Sequence, residues 1–139
     1  MKNIFNVFVN EVNMRDYQRK GKYILPQAVY HTAIWRIRDY YRIKKLAEDI
    51  INENATMDGL PKSNAISDTV AQKAIKREKY LSEIKQIDNA LLEIPQEYRV
   101  GVWNSVLFRQ PYPLDATRVT YSRYKSKFIY FVSKNLKLI

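Results

Sequence analysis

The sequence predicts an all-α fold: a compact multi-helix domain that ends in a helix-turn-helix-like pair and begins with an N-terminal arm of uncertain structure. Apolar residues recur every three or four positions through most of the chain, which is the spacing of a helix with one buried face. Proline and glycine interrupt this periodicity at only a few places. The 139 residues, 46% of them hydrophobic, are enough for one domain with its own core.

The periodicity places four helices after the arm. They cover residues 27–52, 68–94, 95–109 and 115–136. Asp115 or Thr117 can cap the last of them. Residues 27–94 are predicted to form a helical scaffold, and residues 95–139 the helix-turn-helix-like region.

The segments between these helices are defined by their breaking residues. Residues 4–20 fit either a short strand or an irregular helix, and the arm 1–26 that contains them has no predicted role. Residues 54–67 should form a loop, and Gln110–Pro113 should stop a helix because two of the four residues are proline. Gly101 lies inside a helix, where we expect it to permit a close approach between backbones.

The helix over residues 68–94 has two possible partners. Its apolar spacing suits packing against the 27–52 helix of the same chain, and it is short for a firm coiled-coil assignment. We therefore expect intramolecular packing, with a homodimer left open.

The composition excludes most catalytic chemistry. The chain has no cysteine, so thiolate metal sites and cysteine nucleophiles are absent. His31 is the single histidine, which removes every two-histidine zinc motif, and three glycines are too few for a phosphate-binding loop. We expect no catalytic residue, no metal ion and no cofactor, and the protein is not predicted to be an enzyme.

The charge balance points to a polyanionic partner. The formal net charge is +10, and residues 95–139 hold eight basic residues against two acidic ones. No apolar stretch reaches the roughly 20 residues that span a bilayer, and no export signal is visible, so we expect no membrane partner. A charge that serves only solubility is the alternative.

The last helix carries the most informative pattern. At 100° per residue, one stripe is apolar and faces the core, and it consists of Tyr121, Tyr124, Phe128, Phe131 and Val132. The opposite side is a narrow polar crest of Ser122, Ser126 and Ser133. Basic residues flank the crest on both sides, namely Arg118 and Lys125 on one edge and Arg123, Lys127 and Lys134 on the other. Such a helix can enter a major groove, with the crest at base edges and the basic residues at phosphates.

This pattern predicts a double-stranded DNA interface. Arg99 and Arg109, near the ends of the preceding helix, could grip the DNA backbone. The candidate DNA-binding residues are Arg99, Arg109, Arg118, Thr120, Ser122, Arg123, Lys125, Ser126, Lys127 and Lys134. The alternative is an amphipathic helix whose basic face is simply solvated.

Several blocks resemble the RinA-like late-transcription activators encoded by phages of Gram-positive bacteria. They are residues 34–40 (IWRIRDY), 68–75 (DTVAQKAI), 94–103 (IPQEYRVGVW), 109–116 (RQPYPLDA) and the ending 128–136. The resemblance covers about residues 30–139, and its most specific parts are the blocks at 95–103 and 110–116.

The resemblance implies a C-terminal helix-turn-helix distantly like the fourth region of bacterial sigma factors. On that analogy Arg118, Ser122 and Arg123 face the DNA groove, whereas Tyr121 and Tyr124 belong to the core. The segment between Arg109 and Thr117 departs from the sigma pattern because it is short for a full middle helix. The family implies activation of phage late genes from a promoter-proximal site, in the host bacterial cytoplasm. Bacterial RNA polymerase is left open as a further partner.

Two alternative functions belong to other classes. A DNA-packaging component similar to a small terminase subunit would also be helical and basic. A module that binds RNA polymerase through its basic helix would not read DNA at all.

Overall fold

The computed structural model describes residues 18–56 and 64–139, with the backbone alone for 53–56 and 64–68. Within these ranges it consists of five α-helices without a strand, which confirms the all-α prediction. The helices are α1 (Gln27–Arg38), α2 (Tyr40–Thr56), α3 (Asn64–Leu91), α4 (Gln96–Phe108) and α5 (Arg118–Asn135). The sequence left residues 4–20 open between a strand and a helix, and residues 4–17 of that segment lie outside the described part of the chain.

The predicted helix over residues 27–52 is two helices that meet at Asp39. Backbone hydrogen bonds continue through the junction, because Asp39 N–H donates to the Trp35 carbonyl and Ile43 N–H to the Asp39 carbonyl. The Asp39 carboxylate accepts two hydrogen bonds from the Arg42 guanidinium, and these bonds lower the pKa of Asp39. A short acidic side chain that is engaged with the next turn marks the beginning of α2.

Helix α3 is longer at its start and shorter at its end than predicted. It begins at Asn64, so residues 64–67 of the predicted loop are helical, as are residues 54–56; residues 57–63 lie outside the described part. The helix ends at Leu91 rather than at Ile94. Residues 92–94 wind more tightly, because Glu93 and Ile94 N–H groups bond carbonyls three residues earlier, and Pro95 keeps Ile94 out of helical geometry.

The last helix lies at the centre of the fold. Helix α5 contacts α1, α3 and α4, and its buried residues are Tyr121, Phe128, Ile129, Val132 and Ser133. The predicted crest is therefore wrong at Ser133, which is fully buried and donates its hydroxyl hydrogen to the Ile129 carbonyl at 2.9 Å. Tyr124 and Phe131, predicted in the buried stripe, are half-buried. Three neighbouring helices bury a wider arc of α5 than one apolar stripe.

Helix α3 packs within the chain, as predicted. It contacts α2 and α5, and one hydrophobic core contains residues of both the 27–94 and the 95–139 regions. Polar pairs fix its position: the Tyr40 hydroxyl donates to Asp88 at 2.8 Å, and Arg36 pairs with Glu83 at 3.1 Å. Burial, followed by this bond to Asp88, raises the pKa of Tyr40.

Gly101 lies where α4 contacts Tyr121 of α5 and Pro113, which precedes that helix. A Cβ atom there would lie 2.6 Å from Cε1 of Tyr121 and 2.8 Å from Cδ of Pro113. The expected close approach is present, although side chains rather than a second backbone occupy the space. An internal glycine lowers the stability of α4, but the Tyr121 ring occupies the space that a Cβ atom at position 101 would fill.

We expect Gly101→Ala to lower the free energy of unfolding by about 1–2 kcal/mol. Overpacking costs about 1–3 kcal/mol, and alanine recovers up to about 1 kcal/mol of helix propensity. Urea unfolding monitored by circular dichroism measures the difference. Gly21→Ala is the control, since a Cβ at Gly21 meets nothing within 4 Å. Equal stability of the two variants would contradict this account.

Candidate functional site

The connection between α4 and α5 is a folded structure tied to the core. It comprises residues 109–117 and is longer than the three- or four-residue turn of an ordinary helix-turn-helix. The Tyr112 ring stacks on the buried Tyr121 ring, with centroids 5.3 Å apart and planes 12° apart. The Tyr121 hydroxyl donates to the Asp115 carboxylate at 2.6 Å. One core tyrosine thus holds the connection at two points.

This packing raises the pKa of both tyrosines. Burial, together with the bond to Asp115, raises the pKa of Tyr121 to about 12. Burial also raises the pKa of Tyr112, whereas a hydrogen bond with Ser105 and the nearby charge of Arg118 act in the opposite direction. The positive charge of Arg118 therefore acts on the Tyr112 hydroxyl.

Helix α5 begins with a hydroxyl cap. Thr117 is the N-cap residue, and its hydroxyl accepts from the backbone N–H of Thr120 at 3.2 Å. The two threonine hydroxyls also bond each other at 2.9 Å. Of the two predicted caps, Thr117 fills the role, and the candidate residue Thr120 takes part in the cap.

A groove of about 890 Å³ opens between the connection and the first half of α5. Its lining includes the aromatic Tyr30 and Tyr112 and the small polar Ser122 and Ser126. Its charged residues are Arg19, Arg109, Arg118 and Lys125. No carboxylate occurs among the described residues that line it. Four cationic side chains in one lining make this a positively charged concavity.

A strap of residues 18–25, which precedes α1, runs along α5. The buried Gln18 side chain closes the strap by donating to the Leu25 carbonyl at 2.7 Å and accepting from the Leu25 N–H. At one end, the Arg19 guanidinium donates to the Val119 carbonyl at 2.9 Å. At the other, the Tyr23 ring lies 5.3 Å from the ring of Tyr130. The strap is the described end of the arm to which the sequence assigned no role.

A second groove of about 390 Å³ adjoins the first, between the strap and α5. Arg19 and Ser126 line both grooves. The second groove adds three cations, Lys20, Lys22 and Arg123. Together, the two grooves are lined by seven cationic side chains. No acidic side chain occurs among the lining residues that the structure describes. We call this surface the cationic double groove.

Six of the ten candidate residues line the cationic double groove. Five are in the first groove, namely Arg109, Arg118, Ser122, Lys125 and Ser126, and Arg123 is in the second. The structure therefore brings together residues from the end of α4 and from the first half of α5.

Three further candidates lie away from the double groove, and Thr120 serves the cap. Arg99 is half-buried and donates through Nε to the Ile94 carbonyl at 3.0 Å, in the turn between α3 and α4. The ammonium group of Lys134 lies 5.9 Å from the Phe131 ring, about 24 Å along the helix axis from Arg118. Lys127 lines neither groove.

Two exposed apolar side chains flank the double groove. Leu114, at the tip of the connection, is fully exposed, and Val119 in the first turn of α5 is half exposed. Their apolar surface stands beside the cations rather than in the core.

Sequence reasoning missed the strap and Tyr30. The signal for the strap was present, because residues 19–22 contain three cations in four positions. What the sequence lacked was the contact between the Arg19 side chain and a carbonyl 100 residues away.

Other kinds of site are not found in the described part of the chain. No group of three or more His, Cys, Asp or Glu side chains is placed to hold a metal ion among these residues. None of the described helices combines the length and the apolar character that a membrane span needs. No protein-family model, curated protein or solved structure that was compared with the chain matches it, so the resemblance to RinA-like activators stays a prediction.

We expect Tyr121→Phe to make the protein less sensitive to alkaline pH. A pKa of about 12 in the folded state against roughly 10 in the unfolded state means that the folded form retains the proton longer. This contribution to stability is complete below about pH 10 and is lost as the pH rises towards 12.

Unfolding by urea at several pH values between about 8 and 11 measures this effect. The wild type should lose more stability over that interval than Tyr121→Phe, while the other tyrosines titrate in both proteins. At neutral pH the variant should be less stable by about 0.5–1.5 kcal/mol, the usual contribution of one hydrogen bond. Parallel pH profiles would contradict the assigned role of the hydroxyl.

Proposed function

We propose that the protein binds double-stranded DNA through the cationic double groove and the exposed first half of α5. The observation that carries this proposal is the gathering of seven cations, without an acidic neighbour among the described lining residues, around one helix. A duplex presents phosphates at regular spacing on both sides of its grooves, so a positively charged surface with a helix at its centre is complementary to it.

Phosphate contacts would supply most of the affinity. Arg109 at the end of α4 and Lys125 on α5 lie on the first groove, which places charge on both sides of the connection. Each phosphate that such a residue neutralises releases bound counterions, so binding should weaken steeply as salt increases.

Base contacts would come from the first two turns of α5. Arg118 and Arg123 are exposed there, and Arg can donate two hydrogen bonds to a guanine edge. Ser122 supplies a hydroxyl on the same stretch, and the half-exposed Val119 can contact a thymine methyl group. Of the predicted crest, Ser133 in the second half of α5 is fully buried, so sequence reading is assigned to the N-terminal half alone.

The biological role rests on the resemblance to RinA-like activators. That resemblance supports a sequence-specific transcriptional activator of phage late genes, which acts in the bacterial cytoplasm at a promoter-proximal site. The residues that support it are the blocks at 95–103 and 110–116, which form α4 and the connection.

Selection of a preferred duplex from a random library, followed by affinity measurements, tests the proposal. Specific regulators prefer their site over scrambled DNA by about 10³-fold or more near physiological salt. A steep salt dependence without such a preference would contradict sequence-specific reading. No binding to any duplex would overturn DNA binding itself.

We expect Arg123→Ala to weaken binding to the selected duplex by about 1–3 kcal/mol if Arg123 contacts a guanine. The loss on scrambled DNA should be smaller, and fluorescence anisotropy with both duplexes measures the difference. Lys79→Ala is a matched control, because Lys79 is exposed on α3 and lies outside both grooves. Equal losses on both duplexes would make Arg123 a phosphate contact instead.

A further inference from the structure

We propose that the strap of residues 18–25 is a second DNA-backbone clamp, which holds phosphates beside α5 through Lys20 and Lys22. This inference rests on the proposed DNA binding and assigns a role to a segment outside the helix-turn-helix-like region. The clamp recognises the phosphate diester backbone and not the bases, so it contributes affinity and position without sequence preference.

The strap is fixed on α5 at both of its ends and is not a loose tail. The buried side chain of Gln18 satisfies both backbone polar groups of Leu25, which closes the segment into a loop. Tyr23 packs against Tyr130 and Phe131, with ring centroids at 5.3 and 6.3 Å. Residues 19–22 are thereby held between two anchored points.

Arg19 connects the strap to the first turn of α5. Its guanidinium donates to the Val119 carbonyl at 2.9 Å, so the strap meets α5 in its first turn. Arg19 also lines both grooves and therefore joins the strap to the surface assigned to DNA. A duplex seated on the first half of α5 would have its backbone next to this junction.

The two lysines of the strap lie at the second groove. Lys20 and Lys22 are exposed, and both line the second groove together with Arg123. Lys22 lies over the Tyr23 ring at 5.6 Å, which positions its ammonium group without neutralising it. Two lysines and one arginine around a concavity of about 390 Å³ are suited to the oxygens of a phosphate group.

The clamp is tested by the salt dependence of DNA binding. The probe is a fluorescein-labelled duplex of random sequence, about 40 base pairs long, titrated at several salt concentrations from about 50 to 300 mM. The double variant Lys20→Ala/Lys22→Ala should reduce the slope of log affinity against log salt by about 1.8, since each phosphate contact contributes about 0.9. At about 0.1 M salt the affinity should fall by about 50-fold, as two such contacts require.

Two further variants make the result specific. Lys44→Ala/Lys45→Ala removes the same charge from α2, where both lysines are exposed and line neither groove, so its slope should match the wild type. Gln18→Ala keeps every charge but releases the strap, so it should reduce the slope as the strap double variant does. Circular dichroism checks that each variant remains helical.

Each outcome has one meaning. A reduced slope for the strap and Gln18 variants, with the Lys44/Lys45 variant unchanged, supports the clamp. An equal reduction in both double variants, or none in the strap variant, overturns the clamp while DNA binding stands. Loss in the strap variant, with Arg118→Ala and Arg123→Ala unaffected on the selected duplex, would keep the clamp and remove base reading by α5.

Discussion

The position of the Tyr121 ring over Gly101 is the constraint on which the functional surface depends. The ring fills space that any other residue at position 101 would occupy, and its faces and edges meet Tyr112 and Tyr98. Its hydroxyl then holds Asp115 in the connection. Because a core side chain fixes the connection, Arg109 and Arg118 at its two ends keep a constant separation, which a rigid target such as DNA requires.

Positive charge converges on the cationic double groove, and no acidic residue occurs among its described lining positions. Like charges on one face repel each other and attract a polyanion. Elsewhere in the described part of the chain, basic side chains lie beside carboxylates, as in Arg36 with Glu83 and Arg42 with Asp39. Basic side chains therefore occur in two settings, beside a carboxylate near α1 and α2 and among other cations in the double groove.

The predicted site residues fall into two groups by their position in the structure. Those in the first half of α5 line the double groove, namely Arg118, Ser122, Arg123, Lys125 and Ser126. Arg99 looked equivalent in the sequence, yet its guanidinium donates to the Leu92 and Ile94 carbonyls in the turn between α3 and α4. A basic residue near a helix end can bind either a phosphate or a backbone carbonyl, and only its neighbours decide.

The sequence by itself determined the all-α class, the approximate helix positions and the concentration of positive charge on the last helix, because these follow from local periodicity, proline placement and composition. Tertiary structure alone decided two other features. It buried Ser133 and laid the strap along α5. Periodicity reports that a helix has an apolar face, but not how many neighbours cover it. Nor does it report which distant segment contacts the helix, since such contacts join residues far apart in the chain.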